Sequence, residues 1–465
     1  MKSGLFVLLP VVAALGLAGC GSSSKDRTDP VVTEKPNPVT PPALKSIELK
    51  TVFNGCAGEE PKPNVNIVFH DAEGAVVAEA TSNEDGIFKE SIPTNAKHIS
   101  IVDLDVKDRL VYGSKVVTHM DIEDGLNLGT ISVSAPQAYQ NCTAPTVSSC
   151  RTLRVDYTEI ESTYPNYSVI TQRGHILGLP ISDHLVAGPG LSEIENCTGD
   201  DVFRFALVSP DGSIAKAAQV EPSHYITPLT IELVAEDFIY DGVPVDNEED
   251  DFAGNASIVS YKKTQESDQP YDVTFSVSTT AMQFIFPDLA DAHQYRARWD
   301  EEVTVGEYTV DRYYASRSSI TETGQLEFEP PTHYTKGIEA GFLSGNMNNS
   351  FSFDYDFSNL DDRFHAVSWY LNPTDSAGES VNWNVVSDTS GTIPAFQFGE
   401  LLDINSAEFS AMQSFEIAIF GHPHAPQGFK DYREFRQSSR FVDFDREEYK
   451  SFVQAVYFFE KYQNQ

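Results

Sequence analysis

Positive charge is what this sequence has least of. Its 465 residues hold 32 Lys plus Arg against 69 Asp plus Glu, a formal net charge of -37. A field of that sign repels phosphate backbones and anionic headgroups, so nucleic-acid binding and polybasic membrane docking are excluded. Catalytic signatures are missing as well. There is no HExxH, GxSxG or P-loop, and no GxGxxG before a helix; neither acidic stretch has the spacing or terminal Glu of an EF-hand. No CxxC occurs, which leaves a redox or zinc-ribbon reading without support. Long apolar runs are also scarce. The candidate near the start is short and broken by Pro10, a poor spanning helix. The expectation from these absences is a chain that is not an enzyme.

What is present is globular: 40% hydrophobic, 11% aromatic and 22% charged residues, enough to bury cores in two to four domains. The first twenty residues differ from the rest. Lys2 precedes Leu5-Phe6-Val7-Leu8-Leu9 and Val11-Val12-Ala13-Ala14-Leu15, and small residues follow, the order of an export signal. The ending Leu17-Ala18-Gly19-Cys20 resembles the lipobox of bacterial lipoproteins. That resemblance implies a signal peptide over 1–19, lipid on the Cys20 sulfur and a chain held to membrane by its anchor. Gly21, where Asp often marks inner-membrane retention in such proteins, implies sorting to the outer membrane, facing periplasm or surface. Residues 20–43 carry Gly-Ser-Ser-Ser and then Pro30, Pro36, Pro38, Pro41 and Pro42. This is a tether, reaching about 70 Å at about 3.1 Å per residue if polyproline-like.

With Cys20 assigned to lipid, Cys56, Cys142, Cys150 and Cys197 remain, and an exported chain with an even remainder suggests disulfides. Cys56–Cys142 with Cys150–Cys197 is the favoured pairing, each bridge stapling the start of a domain to a later segment. Cys142–Cys150 with Cys56–Cys197 is its rival.

Over 44–141, Ile47, Leu49 and Phe53, and then Val65, Ile67 and Phe69, alternate with polar residues as half-buried strands do. Asp71-Ala72-Glu73-Gly74 and Asn83-Glu84-Asp85-Gly86 read as tight turns. The run Val65-x-Ile67-x-Phe69, Gly74, Thr81-x-Asn83-x-Asp85-Gly86-x-Phe88 and Ile92-Pro93 resembles the transthyretin-like, carboxypeptidase-regulatory β-sandwich. The resemblance implies a non-catalytic spacer or binding domain.

A second β domain is expected over 142–240, with a turn at Ser209-Pro210-Asp211-Gly212, and an acidic linker over 241–255. Residues 256–465 are strand-rich and aromatic. Three segments there share one form: Phe284-x-Phe286-x-x-Leu289, Tyr355-x-Phe357-x-x-Leu360 and Phe396-x-Phe398-x-x-Leu401. At the end, Asp445-Arg446-Glu447-Glu448 resembles a capping box, and Tyr449, Phe452, Val453 and Val456 follow at helical spacing. A terminal helix is expected.

Three clusters bear on chemistry. Asp246, Glu248, Glu249, Asp250 and Asp251 offer oxygens to calcium, against the plainer reading of a solvated linker. His422-Pro423-His424 offers two imidazoles to a transition metal but no third ligand, and its Gly and Pro neighbours suggest an ordinary loop. Trp299, Trp369 and Trp383 suit either a core or a sugar-stacking platform, and strand-rich context favours the core. The expected fold is mainly β, tandem Ig-like or transthyretin-like β-sandwiches with a C-terminal helix. The expected role is a binding, adhesive or structural envelope module with a protein or polysaccharide partner; the alternatives are surface carbohydrate binding and, behind it, an enzyme of unrecognised type.

Overall fold

The computed structural model describes residues 46–55, 58–104, 114–134, 151–171, 175–176, 179–180, 191–196, 202–221, 229–245, 256–264, 267–272, 274–275, 283–327, 338–346, 352–404, 412–437 and 450–461. All lie within one unit, Leu44–Gln465. Cys20, Cys56, Cys142, Cys150, Cys197 and the acidic residues Asp246, Glu248, Glu249, Asp250 and Asp251 lie outside the described residues.

The N-terminal part contributes β1 (Ser46–Gly55), β2 (Gly58–Pro61), β3 (Asn66–His70), β4 (Val76–Thr81), β5 (Ile87–Ser91), β6 (His98–Asp103), β7 (Ser114–His119) and β8 (Asn127–Ser132). One sheet places β1 between β2, β5 and a parallel β8; it faces β4-β3-β6-β7. Between them sit Ile47, Leu49, Phe88, Leu128 and Ile131 from the first sheet, and Ile67, Phe69, Ile99 and Ile101 from the second. This is a β-sandwich whose alternating residues fill one core. The Asp85-Gly86 turn closes as expected: the Gly86 N–H donates to Asn83 O (2.9 Å) at φ +72°. A Cβ there would lie 2.4 Å from Thr51 O, so both conformation and close approach call for glycine.

The middle part contributes β9 (Arg151–Asp156), α1 (Thr158–Thr163), β10 (Ser168–Thr171), β11 (His175–Ile176), β12 (Leu179–Pro180), β13 (Leu191–Asn196), β14 (Phe203–Val208), β15 (Ala215–Val220), β16 (Leu229–Glu232), β17 (Tyr240–Asp241) and β18 (Val243–Val245). The sheet β13-β9-β16 packs on β10-β14-β15-β17 through Val155 and Ile231 against Phe205, Leu207 and Ala218.

The C-terminal part contributes β19 (Ala256–Thr264), β20 (Ser267–Asp272), β21 (Gln283–Ile285), β22 (Ala292–Val305), β23 (Tyr308–Ser319), α2 (Glu339–Asn346), β24 (Phe353–Asp356), β25 (Ala366–Leu371), β26 (Val381–Ser387), β27 (Ser390–Ile393), β28 (Ser414–Gly421), α3 (Phe429–Gln437) and β29 (Phe452–Lys461). The three aromatic segments form the same turn. In each, the Leu N–H donates to the preceding Phe carbonyl: Leu289 to Phe286 (2.9 Å), Leu360 to Phe357 (3.1 Å) and Leu401 to Phe398 (3.2 Å). They lead into β22, β25 and β28, and these strands pair with β23, β26 and β29 in turn.

The chain is therefore mainly β, built from packed sheets, with a helix in its C-terminal part. Two expectations need correction. The boundary near 141 does not separate sheets, because β26 pairs in parallel with β7 from Val381↔Ser114 to Val386↔His119. A twelve-stranded sheet results, in the order β20-β19-β22-β23-β29-β28-β25-β26-β7-β6-β3-β4. Its β3-β6-β7 portion is covered on both faces, which is why every residue of β6 is buried. The terminal helix is also displaced. Residues 452–461 are strand β29, and the helix of this region is α3, earlier in the chain. Val453, Ala455, Tyr457 and Phe459 alternate into the main core, and two long neighbours, β23 and β28, hydrogen-bond to that strand. Ladder pairing and burial outweigh a capping signal that lies upstream.

Candidate functional site

The twelve-stranded sheet buries one face under α2 and the β24–β27 ribbon, where Trp369 and Trp383 are fully enclosed among Phe342, Phe353 and Phe396. These indoles belong to the core and form no sugar platform; Trp299, partly buried, packs against the same core. The opposite face carries a pocket of about 550 Å³, within the usual size range for small-molecule sites.

Its origin is a change in side-chain size along paired strands. Ala366, Ser368 and Ala418 are small and sit side by side, since Ser368 pairs with Ala418 and Ala366 with Phe420. Larger neighbours, Phe420, Tyr370 and Phe452, rise around them and leave a recess. Helix α3 roofs one end. Phe429, Tyr432, Arg433 and Arg436 fall three, four and seven positions apart, so one helical stripe turns to the sheet. Tyr432 fixes that roof: its hydroxyl lies 2.7 Å from His422 Nδ1, and its ring packs on His365 with centroids 4.9 Å apart.

Charge is arranged so that little of it faces the recess unanswered. Arg433 donates from Nη1 to Met120 O and from Nη2 to Asp121 O, and its guanidinium covers Phe429 at 4.8 Å. Arg436 lies over Phe420 at 4.5 Å. His119, at the end of β7, is buried and its imidazolium is disfavoured, first by burial and then by Arg433, so its pKa falls to about 3. Near neutral pH the ring is uncharged, with one donor and one acceptor nitrogen. Neither nitrogen has a hydrogen-bond partner among the described residues, and the same holds for Asn384 Oδ1. At the mouth, Tyr370 is 39% exposed. Burial and the adjacent Glu416 raise its phenol pKa, and burial raises that of Glu416.

Of the residues singled out from the sequence only Phe452, read there as part of a terminal helix, lines this pocket. His422 stands behind it, holding Tyr432. The proposed His422/His424 metal pair is not formed: His422 is buried, His424 is exposed, and the Ala425 N–H donates to His422 O in a turn between them. Among the described residues, no group of three His, Cys, Asp or Glu is placed to hold a metal. A sequence signal for the site did exist. Arg433 and Arg436 stand three residues apart in a chain poor in cations, on a Phe429, Tyr432, Phe435 stripe preceded by Gly428. No protein-family model matches this sequence, and no curated protein matches it.

Proposed function

We propose that the chain is a non-enzymatic lipoprotein of the cell envelope, held at the outer membrane by lipid on Cys20, that binds a ligand in the pocket beneath α3. The observation carrying this reading is a recess lined by His119 and Asn384, whose buried His119 ring nitrogens and Asn384 Oδ1 have no hydrogen-bond partner among the described residues. Such groups cost free energy unless something from outside completes their hydrogen bonds. The lining is aromatic and hydrogen-bonding, the chemistry of holding a ligand. Within this proposal the first sandwich is a transthyretin-like spacer, and disulfides among Cys56, Cys142, Cys150 and Cys197 brace the exported chain.

The test compares the released Cys20→Ala protein with Cys20→Ala/Ser368→Phe, in which a ring fills the recess. Each is sedimented with isolated envelope polymers, and the thermal midpoint reports folding. Retention of the first and loss of the second is expected. Equal retention of both would remove the pocket from the function.

A further inference from the structure

The ligand class can be argued from the same pocket, and the argument rests on the binding reading just given. Three classes compete for a polar recess of this size: an anion, a peptide strand and a neutral polyhydroxylated molecule.

An anion finds little advantage. Arg433 already gives both terminal nitrogens to two carbonyl oxygens, so only its Nε–H is without a partner among the described residues, and the carboxylates of Asp121 and Glu123 act on it as well. Glu416 stands on the same sheet face, paired directly opposite Tyr370. The chain as a whole carries -37. These charges oppose the approach of a second negative group.

A peptide strand finds no edge. The floor strand β25 is hydrogen-bonded to β26 on one side and β28 on the other, and β28 is paired with β29. Addition of a strand needs unpaired backbone groups, which these strands do not offer.

Hydroxyl groups fit what remains. A neutral imidazole asks for one donor and one acceptor, and a hydroxyl is both. Asn384 Oδ1 asks for a donor, and Glu416 stands beside Tyr370 across the β25–β28 ladder. Tyr370 presents an exposed ring beside Asn384, its partner across the β25–β26 ladder. An aromatic face next to planar amide and carboxylate groups matches the C–H face and the hydroxyl rim of a sugar ring. We infer that the pocket takes the end of a neutral glycan, held by His119 and Asn384 inside and Tyr370 at the mouth.

The full chain in detergent would be tested on immobilised neutral oligomers of glucose, galactose, mannose and N-acetylglucosamine, on polygalacturonate and alginate, and with inorganic phosphate. Binding of at least one neutral oligomer is expected, about tenfold weaker in Asn384→Leu and in Tyr370→Ala, the loss from one good contact. Tyr370 is exposed enough for its removal to leave folding intact. Neutral binding that ignores both substitutions overturns the site. Binding confined to the acidic polymers or phosphate, and lost in both variants, overturns the ligand class while the pocket stands. Silence from every probe overturns both.

Discussion

Trp383 donates its indole N–H to Thr118 Oγ1 over 2.9 Å, joining residues 265 positions apart. The bond crosses from β26 to β7, the pair of strands that makes one sheet of the first and last parts of the chain. It continues inward. Thr118 Oγ1 lies 2.7 Å from Ser100 Oγ, and Ser100 Oγ lies 2.8 Å from His70 Nε2. Thr118 Oγ1 accepts from the indole and keeps its own hydrogen for a bond with Ser100, which in turn is hydrogen-bonded to the His70 ring. Four buried polar side chains are thus linked in one chain of hydrogen bonds across β26, β7, β6 and β3. Phe396 and Phe398 close edge-on against both His70 and Trp383.

Thr118→Val should destabilise the protein by about 1–3 kcal/mol, because it keeps the shape while taking the acceptor away from a buried indole N–H. The double variant Thr118→Val/Trp383→Phe should recover part of that loss, since both ends become apolar. Urea unfolding of the two single variants and the double measures the coupling. Strict additivity would mean that the bond contributes nothing.

Residues 44–141 should fail as an independent domain. Val68, Val102 and Val116 are fully buried on the sheet face turned away from the first sandwich core, within the main C-terminal core. A fragment ending at 141 exposes that face and leaves β7 without β26. Dye binding to exposed apolar surface and self-association on size-exclusion columns are expected. A monomeric fragment with sharp cooperative unfolding would show that the sheet junction is dispensable.

How far the sequence could be read follows from which forces were local. Period-two alternation in Val65-x-Ile67-x-Phe69 and the glycine turns at 74 and 86 are local signals, and β3, β4 and β5 formed where they pointed. The aromatic-x-aromatic-x-x-Leu turns are local too. The pairing of β26 with β7 is not, because nothing in Ser114–His119 names a partner more than two hundred residues away. The same limit explains β29. Phe452, Val453 and Val456 fit helical spacing as well as strand spacing, and only the gap between β23 and β28 decides. The pocket stayed hidden because its floor consists of small residues, Ala366, Ser368 and Ala418, whose meaning appears once β25 and β28 lie side by side.

Lys62 and Asp103 form a buried ion pair at 2.8 Å, with Lys62 Nζ also donating to Ser134 O and the Ser134 N–H donating to Asp103 Oδ2. Lys62→Met should cost about 3–5 kcal/mol, as it takes the contacting cation from a buried carboxylate and leaves the more distant Lys115 to answer it. Lys62→Met/Asp103→Leu should be far milder. Denaturant midpoints of both variants decide it. A mild effect from the single change would mean that Lys115 or solvent already answers the carboxylate.

Stability should fall steeply on mild acidification. Burial lowers the pKa of His70 to about 4, His293 to about 4, His119 to about 3 and His422 to about 3, from an ordinary value near 6.5. Neighbouring cations add to the effect at His119, beside Arg433, and at His422, near Arg436 and Arg317. The sign follows from proton counting. Above pH ~6.5 neither state binds these protons, so the four rings contribute no pH dependence. Between about pH 6.5 and pH 4 the unfolded chain takes them up while the folded protein refuses them. Unfolding is then favoured by about 1.4 kcal/mol per pH unit for each ring. Below about pH 4, His70 and His293 begin to titrate in the folded state and the slope eases. Unfolding midpoints followed from pH 7 to pH 4 should therefore drop, and His70→Gln should reduce the slope by close to one proton. A flat profile over that interval would mean that these imidazoles meet water in the folded protein.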